Sequence, residues 1–289
     1  MARKAATTID AVPICTPVSL PPASQTAAAL QAVEVNPANA PPVTSAVILS
    51  ATALMMPVPD YLAVLTTKYW GAKGVQLTVG FVEAVESALR DKILLHMNAW
   101  GEFANVKFTW TQTDAQVRIT RQQQGYWSYL GTDILSIPRG RPTMCLQGFT
   151  ARTAESEFTR VVRHETGHTC GFPHEHMRRE LIARLDRQKT IDYFQRTQGW
   201  SEQMTVQQVL TPLEESSLIG TEHADADSIM CYQLPASITA DGQSIRGGAD
   251  IGALDRTLAA KVYPKAPPPP PTGKRLVIEF DGGYRIVEG

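Results

Sequence analysis

Apolar and polar positions alternate along "VQLTVGFV" (75–82), which predicts a half-buried strand. The next segment, "EAVESALRDKILLHMNAWGEFA" (83–104), changes period. Val85, Ala88, Leu89, Ile93, Met97 and Trp100 recur at helical spacing and fall on one face. Alternation returns in "VKFTWTQ" (106–112) and "AQVRITR" (115–121), and "PTMCLQGF" (142–149) reads as a short strand. From there the pattern is helical. "SEFTRVVRHETGHTC" (156–170) carries Phe158, Val161, Val162 and Glu165 at helical spacing, with Ser156 as its expected N-cap. Further helices are predicted near 187–198, 201–211 and 252–262. Strands first and helices later make the chain α+β.

The two ends differ from this middle. Residues 1–65 are rich in Ala, Pro, Thr and Val, with "LPPA" and "NAPPV" breaking any regular element, and read as an N-terminal extension. The most apolar run, "VTSAVILSATALMMPV" (43–58), is bracketed by prolines and shorter than the roughly 20 residues of a spanning helix, so no membrane span is expected. Residues 66–264 form the expected main domain. A proline-rich linker (265–274) follows, with five consecutive prolines that favour a stiff polyproline II spacer. The last residues, 275–289, hold two apolar runs around Asp281, Gly282 and Gly283, a β-hairpin pattern.

Composition adds mainly exclusions. The 289 residues are 43% hydrophobic and 19% charged, enough apolar material for a sizeable core. A net charge of −1 gives no electrostatic reason to expect nucleic acid as a partner. Four cysteines (Cys15, Cys145, Cys170, Cys231) match no zinc knuckle and no dense disulfide framework, so both bridges and free thiols are open. The N-terminus has a basic start but no continuous apolar core of a secretory signal. Location is left open between export by a non-standard route and the cytoplasm. Oligomeric state is not legible.

The histidines are where chemistry concentrates. Of six, four lie within "RHETGHTCGFPHEHMR" (163–178): His164, His168, His174 and His176. His164 and His168, four apart, share one helical face and can share a metal ion. Glu165 points about 100° away, and reaches a metal-bound water without taking a ligand position. That division gives two zinc ligands and a general base. Gly171 lets the helix end in a left-handed turn, so that the chain swings back and offers His174 as a third ligand. Three protein ligands leave a fourth position open, the mark of a catalytic Zn2+ site. The extended pattern HExxHxxGxxH arises by chance in a chain of this length on the order of once in a hundred thousand.

This pattern resembles the signature of the metzincin metallopeptidases. The continuation through Phe172, Glu175 and Arg178 resembles HExxHxxGFxHExxR of the astacin-like branch, in bacterial astacin- or matrixin-like form. "DSIMCY" resembles its Met-turn, with Met230 below the metal and Tyr232 two residues on. The resemblance covers roughly residues 66–264. It implies a twisted, mainly parallel mixed sheet with two long helices in an N-terminal lobe. An active-site helix and a smaller irregular C-terminal lobe after the third histidine complete the implied fold. It implies a zinc endopeptidase acting on protein or peptide substrates. Tyr232 would swing to donate a hydrogen bond to the oxyanion, and Glu175 would meet the N-terminus of the processed enzyme. The strand around Thr143, Met144, Cys145 and Leu146 would pair with extended substrate. The departures are the cysteine positions, Cys231 where a histidine is usual, and the missing signal.

Two readings of Cys15 stand side by side: a buried or unpaired thiol, or a latency ligand of the kind by which some metzincin pro-segments silence zinc. His176 is expected to be exposed or hydrogen-bonded, and His96 to be a core histidine. Two other function classes compete with the peptidase. One is a fold-retaining binding module, which would lack Glu165 or a ligand; the other is an interaction protein working through the tail.

Overall fold

The computed structural model describes residues 15–16, 18–41, 66–71, 73–213 and 223–265, together with the backbone of 275–278 and 284–287. The apolar run at 43–58 and the prolines of 266–272 lie outside the described residues.

A five-stranded sheet, ordered β2-β1-β3-β5-β4, forms the larger lobe. Its strands are β1 (Val75–Phe81), β2 (Val106–Trp110), β3 (Val117–Thr120), β4 (Tyr126–Ser128) and β5 (Met144–Leu146). All neighbours run parallel except β4, which is antiparallel to β5. The mixed, mainly parallel sheet of the sequence reading is present. Val75, Leu77 and Val79 of β1 are buried, as the alternation requires.

N-terminal to the sheet, α1 (Pro22–Val35) starts with proline in its first turn and buries Ala28, Ala29 and Ala32. It packs against the 3-10 turn Gly131–Ser136. Beyond it, the Asn39 amide donates to the carbonyls of Ala32 and Tyr69, while its oxygen accepts from Tyr69 N and Thr67 Oγ1. The extension is thereby tied to the start of the main domain.

Helix α2 (Ser87–Met97) buries Leu89, Ile93 and Met97 on the predicted face. It starts four residues later than the pattern suggested, because the chain through Glu86 is still extended. His96 is buried, stacks on Phe158 and shares a hydrogen bond with Glu155. The next helix begins with a turn at Glu155–Glu157 and passes through a π-helical stretch at Phe158–Val162. It ends in α3 (Arg163–Thr169). Ser156 therefore lies inside the first turn, and the N-cap is Ala154, without a side-chain cap bond.

A second apolar cluster gathers α4 (Arg187–Gln198) with Trp200, Val209, Leu234 and Ile245 in the smaller lobe. The predicted 201–211 helix is a short α-turn Glu202–Thr205 followed by a π-helical stretch Val206–Leu210. Helix α5 (Ala253–Val262) closes the domain. The tail backbone forms an antiparallel pair, β6 (Arg275–Ile278) with β7 (Tyr284–Val287).

Candidate metal centre and active-site cleft

Helix α3 carries His164, Glu165 and His168, and its end is built to bring in His174. Gly171 has φ 95°, and the amides of Gly171 and Phe172 bond back to the carbonyls of His168 and Gly167. This is a Schellman ending, which glycine permits at no steric cost. The returning chain packs closely, and a Cβ on Gly171 would stand 3.0 Å from the Lys68 carbonyl oxygen. Trp70 Nε1 donates to the Thr169 carbonyl and Tyr263 Oη to that of Cys170, so the last carbonyls of the helix are used.

Hydrogen bonds fix which ring nitrogens face inward. His164 Nδ1 lies 2.6 Å from the Ile229 carbonyl oxygen and His168 Nδ1 2.9 Å from that of Phe172. A carbonyl only accepts, so both protons sit on Nδ1 and both Nε2 atoms present lone pairs. These converge on His174 Nε2, at 3.3 Å from His164 and 3.0 Å from His168. All three rings are buried, and burial favours the neutral form, lowering His164 to about 4. Lone pairs facing one another at this range suit a shared cation. Zinc–nitrogen bonds of about 2.05 Å in a tetrahedron place ligand nitrogens about 3.3 Å apart.

Cys15 completes the cluster. Its Sγ is 3.6 Å from His168 Nε2, and its thiol also lies 3.6 Å from Glu165 Oε2. A zinc–sulfur bond of about 2.3 Å beside a zinc–nitrogen bond puts the two donors about 3.6 Å apart. Among the described residues Cys15, His164, His168 and His174 form the group able to hold a metal, with ligand atoms all within 4.8 Å. The segment bearing Cys15 lies along the sheet edge: Cys15 bridges Tyr126 in parallel sense, and Thr16 N donates to the Tyr126 carbonyl at 2.7 Å.

That bridge corrects one expectation. Thr143, Met144, Cys145 and Leu146 are fully buried, and β5 is paired on both sides, to β3 and to β4. Thr143 likewise bonds both neighbours through its own backbone. They have no free edge to offer an extended substrate. On this side the sheet ends at β4, which pairs with β5 and is bridged by Cys15 at Tyr126.

In the turn at Ser228, Ile229 and Met230, Met230 N donates to Ser228 Oγ, and Ser228 Oγ donates to Asp255 Oδ1 at 2.6 Å. Asp255 Oδ2 also accepts from Ile229 N and Gly252 N. The turn is thus anchored by a carboxylate from α5, a residue the sequence reading passed over. An acidic side chain three residues after the helix start at Gly252 was the available signal. Glu175 N donates to the Met230 carbonyl, joining the third histidine to this turn. The Glu175 carboxylate accepts from Asp225 N and pairs with Arg178. Tyr232 is buried, edge-on to His174 at 4.5 Å, and its hydroxyl donates to the Cys15 carbonyl. Burial pushes Glu165 up to about 8; a neighbouring cation favours its charged form.

The sequence model of the astacin peptidase family matches residues 64–245. The chain belongs to the astacin family. Two structures of myroilysin resemble it at 30% sequence identity. One, with TM-score 0.64, aligns over 69% of this chain and 97% of its own; the other, with TM-score 0.52, over 68% and 86%. The high choriolytic enzyme 1, a hatching-enzyme zinc-protease of the medaka fish Oryzias latipes, aligns over 68% of this chain and 94% of its own. Its identity is 17% and its TM-score 0.46. No curated protein matches the chain. Membership makes this astacin-family chain a zinc-dependent metalloendopeptidase acting on protein or peptide substrates. Among the described residues no helix is long and apolar enough to cross a membrane.

Proposed function

We propose that His164, His168 and His174 hold the catalytic zinc, that Glu165 is the general base, and that the chain is made latent by its own N-terminal extension. The observation that carries the ligand assignment is the convergence of three Nε2 atoms, two of them with tautomers fixed by Nδ1 bonds to backbone carbonyls. Zinc, when bound, supplies Lewis acidity to water and to the scissile carbonyl. Glu165 takes the proton from the attacking water and returns one to the leaving amine. Tyr232 donates its hydroxyl hydrogen bond to the oxyanion. The backbone edge of β4 around Tyr126 receives the extended substrate, since it already pairs with the extended segment at Cys15. Met230 forms the floor beneath the ligands.

Residues 1–65 act as the pro-segment in this reading. Cys15 stands where a fourth ligand belongs, and its thiolate closes the position that water needs. The hairpin after the linker is accessory, so a chain ending at Lys265 keeps its cleavage of small peptides.

The role split is tested by zinc content and peptide cleavage in two variants. Glu165→Gln is expected to keep one zinc per chain and lose roughly 10²- to 10⁴-fold in turnover. His174→Ala is expected to lose the metal. Full turnover by Glu165→Gln would remove it from the role of base.

A further inference from the structure

His176 is the fourth histidine of the cluster and has no part in holding zinc. It is nonetheless the most deeply buried of the four, with 0% exposure against 8%, 5% and 5% for His164, His168 and His174. Hydrogen bonding alone does not explain an imidazole there. Nε2 donates to the Gln208 carbonyl at 3.1 Å, which places the proton on Nε2. Nδ1 is then a bare acceptor, buried and without a hydrogen-bond partner among the described residues. Leaving such a group unsatisfied costs free energy. The ring must repay that by what its faces touch.

One face lies flat on Tyr232, with ring centroids 3.9 Å apart and 20° between planes. The same imidazole is 5.0 Å from the His174 ring, which meets Tyr232 at 4.5 Å. Ligand, tyrosine and His176 form one three-ring cluster. A tyrosine that swings to serve the oxyanion needs a defined place for its ring at the end of that swing.

We propose that His176 is a positioning residue for Tyr232, its imidazole face holding the phenol ring where the hydroxyl meets the Cys15 carbonyl, the position from which it turns to the oxyanion. The bond from Tyr232 to the Cys15 carbonyl shows one position so held. The proposal rests on the reading of Tyr232 as the oxyanion donor. Loss of the stack would loosen an orientation made useful only in the transition state, so the effect falls on kcat.

The test uses the full, zinc-loaded chain carrying Cys15→Ala, so that the thiol does not mask the site. His176→Leu removes the stacked ring, and His176→Phe keeps the ring but loses the bond to Gln208. His176→Leu is expected to retain one zinc per chain, with kcat down roughly 3- to 10-fold and KM within about twofold. His176→Phe is expected to stay within about twofold of the parent. In a Tyr232→Phe background, where no hydroxyl needs placing, His176→Leu should add less than about twofold. A second readout is independent of turnover. In chain labelled with ring-carbon-13 tyrosine, the Tyr232 signal, identified by its absence in Tyr232→Phe, should move in His176→Leu and not in His176→Phe.

Multiplying losses, loss of zinc, or an unmoved Tyr232 signal would each overturn the proposal. If His176→Leu does not fold, His176→Phe decides: a loss as large as that of Tyr232→Phe would mean the bond to Gln208 is what matters. Full kcat in Tyr232→Phe alone would instead fail the donor reading, and the tyrosine signal would still decide whether His176 holds the ring.

Discussion

Tyr232 Oη donates a 2.6 Å hydrogen bond to the carbonyl oxygen of Cys15, 217 positions earlier in the chain. The same cysteine places its sulfur 3.6 Å from His168 Nε2. One residue of the extension therefore engages both the metal cluster and the hydroxyl proposed to stabilise the oxyanion. A hydroxyl has one proton to donate, so Tyr232 cannot serve the Cys15 carbonyl and an oxyanion together.

The first prediction separates these two contacts. Cys15→Ser weakens the metal contact and keeps the backbone carbonyl. The full-length chain should show an initial rate of peptide cleavage at least about tenfold higher, at unchanged zinc content. Removing residues 1–17 frees Tyr232 as well and should raise the rate further. Progress curves of the three proteins, without added activator, make the comparison. Equal rates in all three would end the latency idea.

The second prediction concerns the packing of Gly167 in α3 against Met230. A Cβ added at Gly167 would stand 2.4 Å from Met230 Sδ and 3.1 Å from Trp100 Cζ2. Alanine is the better helix former by up to about 1 kcal/mol, but this contact opposes it. Met230 and Trp100 are both buried, so neither has open space to move into. Gly167→Ala should cost about 1–3 kcal/mol in urea denaturation. Met230→Ala opens room at the same place, so the double variant should lose less than the sum of the singles. Strict additivity would show that the two residues do not press on one another.

Much of this was legible from sequence because it is local. The spacing of His164, Glu165 and His168 needs only helical periodicity, and Gly171 needs only the demand for positive φ at a helix end. The β1 and α2 faces follow from alternation and from 3.6-residue recurrence. What sequence reading misplaced depends on pairing between distant strands. The segment 143–146 is apolar, which is equally consistent with an edge or a centre. Only the return of β4 along β5 makes it a centre. Asp255 reaches Ser228 across 27 positions, and His176 reaches Gln208 across 32. No periodicity records such contacts. Cys15 is the extreme case: no periodicity records its contact with His168, and only the resemblance to metzincin pro-segments offered it as a ligand.

The third prediction follows from the four thiols, all buried and free. Burial pushes Cys145 up to about 11 and raises Cys170 and Cys231 further from their ordinary value, while Cys15 is the thiol proposed to be held by the metal. At pH 8 a thiol of pKa about 11 is ionised to roughly one part in a thousand, and the thiolate is the reactive form. Native protein should therefore show no fast-reacting thiol with an aromatic disulfide reagent. The same protein in denaturant, without reductant, should release four equivalents, one for each cysteine. Two equivalents would mean a disulfide that this arrangement excludes.

The last prediction is that Asp255 is the keystone of the turn bearing Met230. Its carboxylate accepts three hydrogen bonds, from Ser228 Oγ, Ile229 N and Gly252 N. Asp255→Ala strands two backbone donors and a hydroxyl in a buried place, and should cost about 3–5 kcal/mol. Asp255→Asn can keep its oxygen toward the two amides and turn its amide toward Ser228, so about 1–2 kcal/mol is expected. The charge itself leaves a pH signature. Burial raises the Asp255 pKa above the unfolded value, with Ser228 and the two amides opposing. The folded state then holds this proton more tightly than the unfolded state. The Asp255 contribution is fully present below the unfolded pKa of about 3.9 and falls as pH rises through the folded value. Asp255→Asn has no such proton, so the stability gap between wild type and Asp255→Asn should narrow as pH rises from about 4. Urea denaturation of both proteins across that range measures the gap. A gap that widens with pH would mean that the three donors outweigh burial and hold the carboxylate charged.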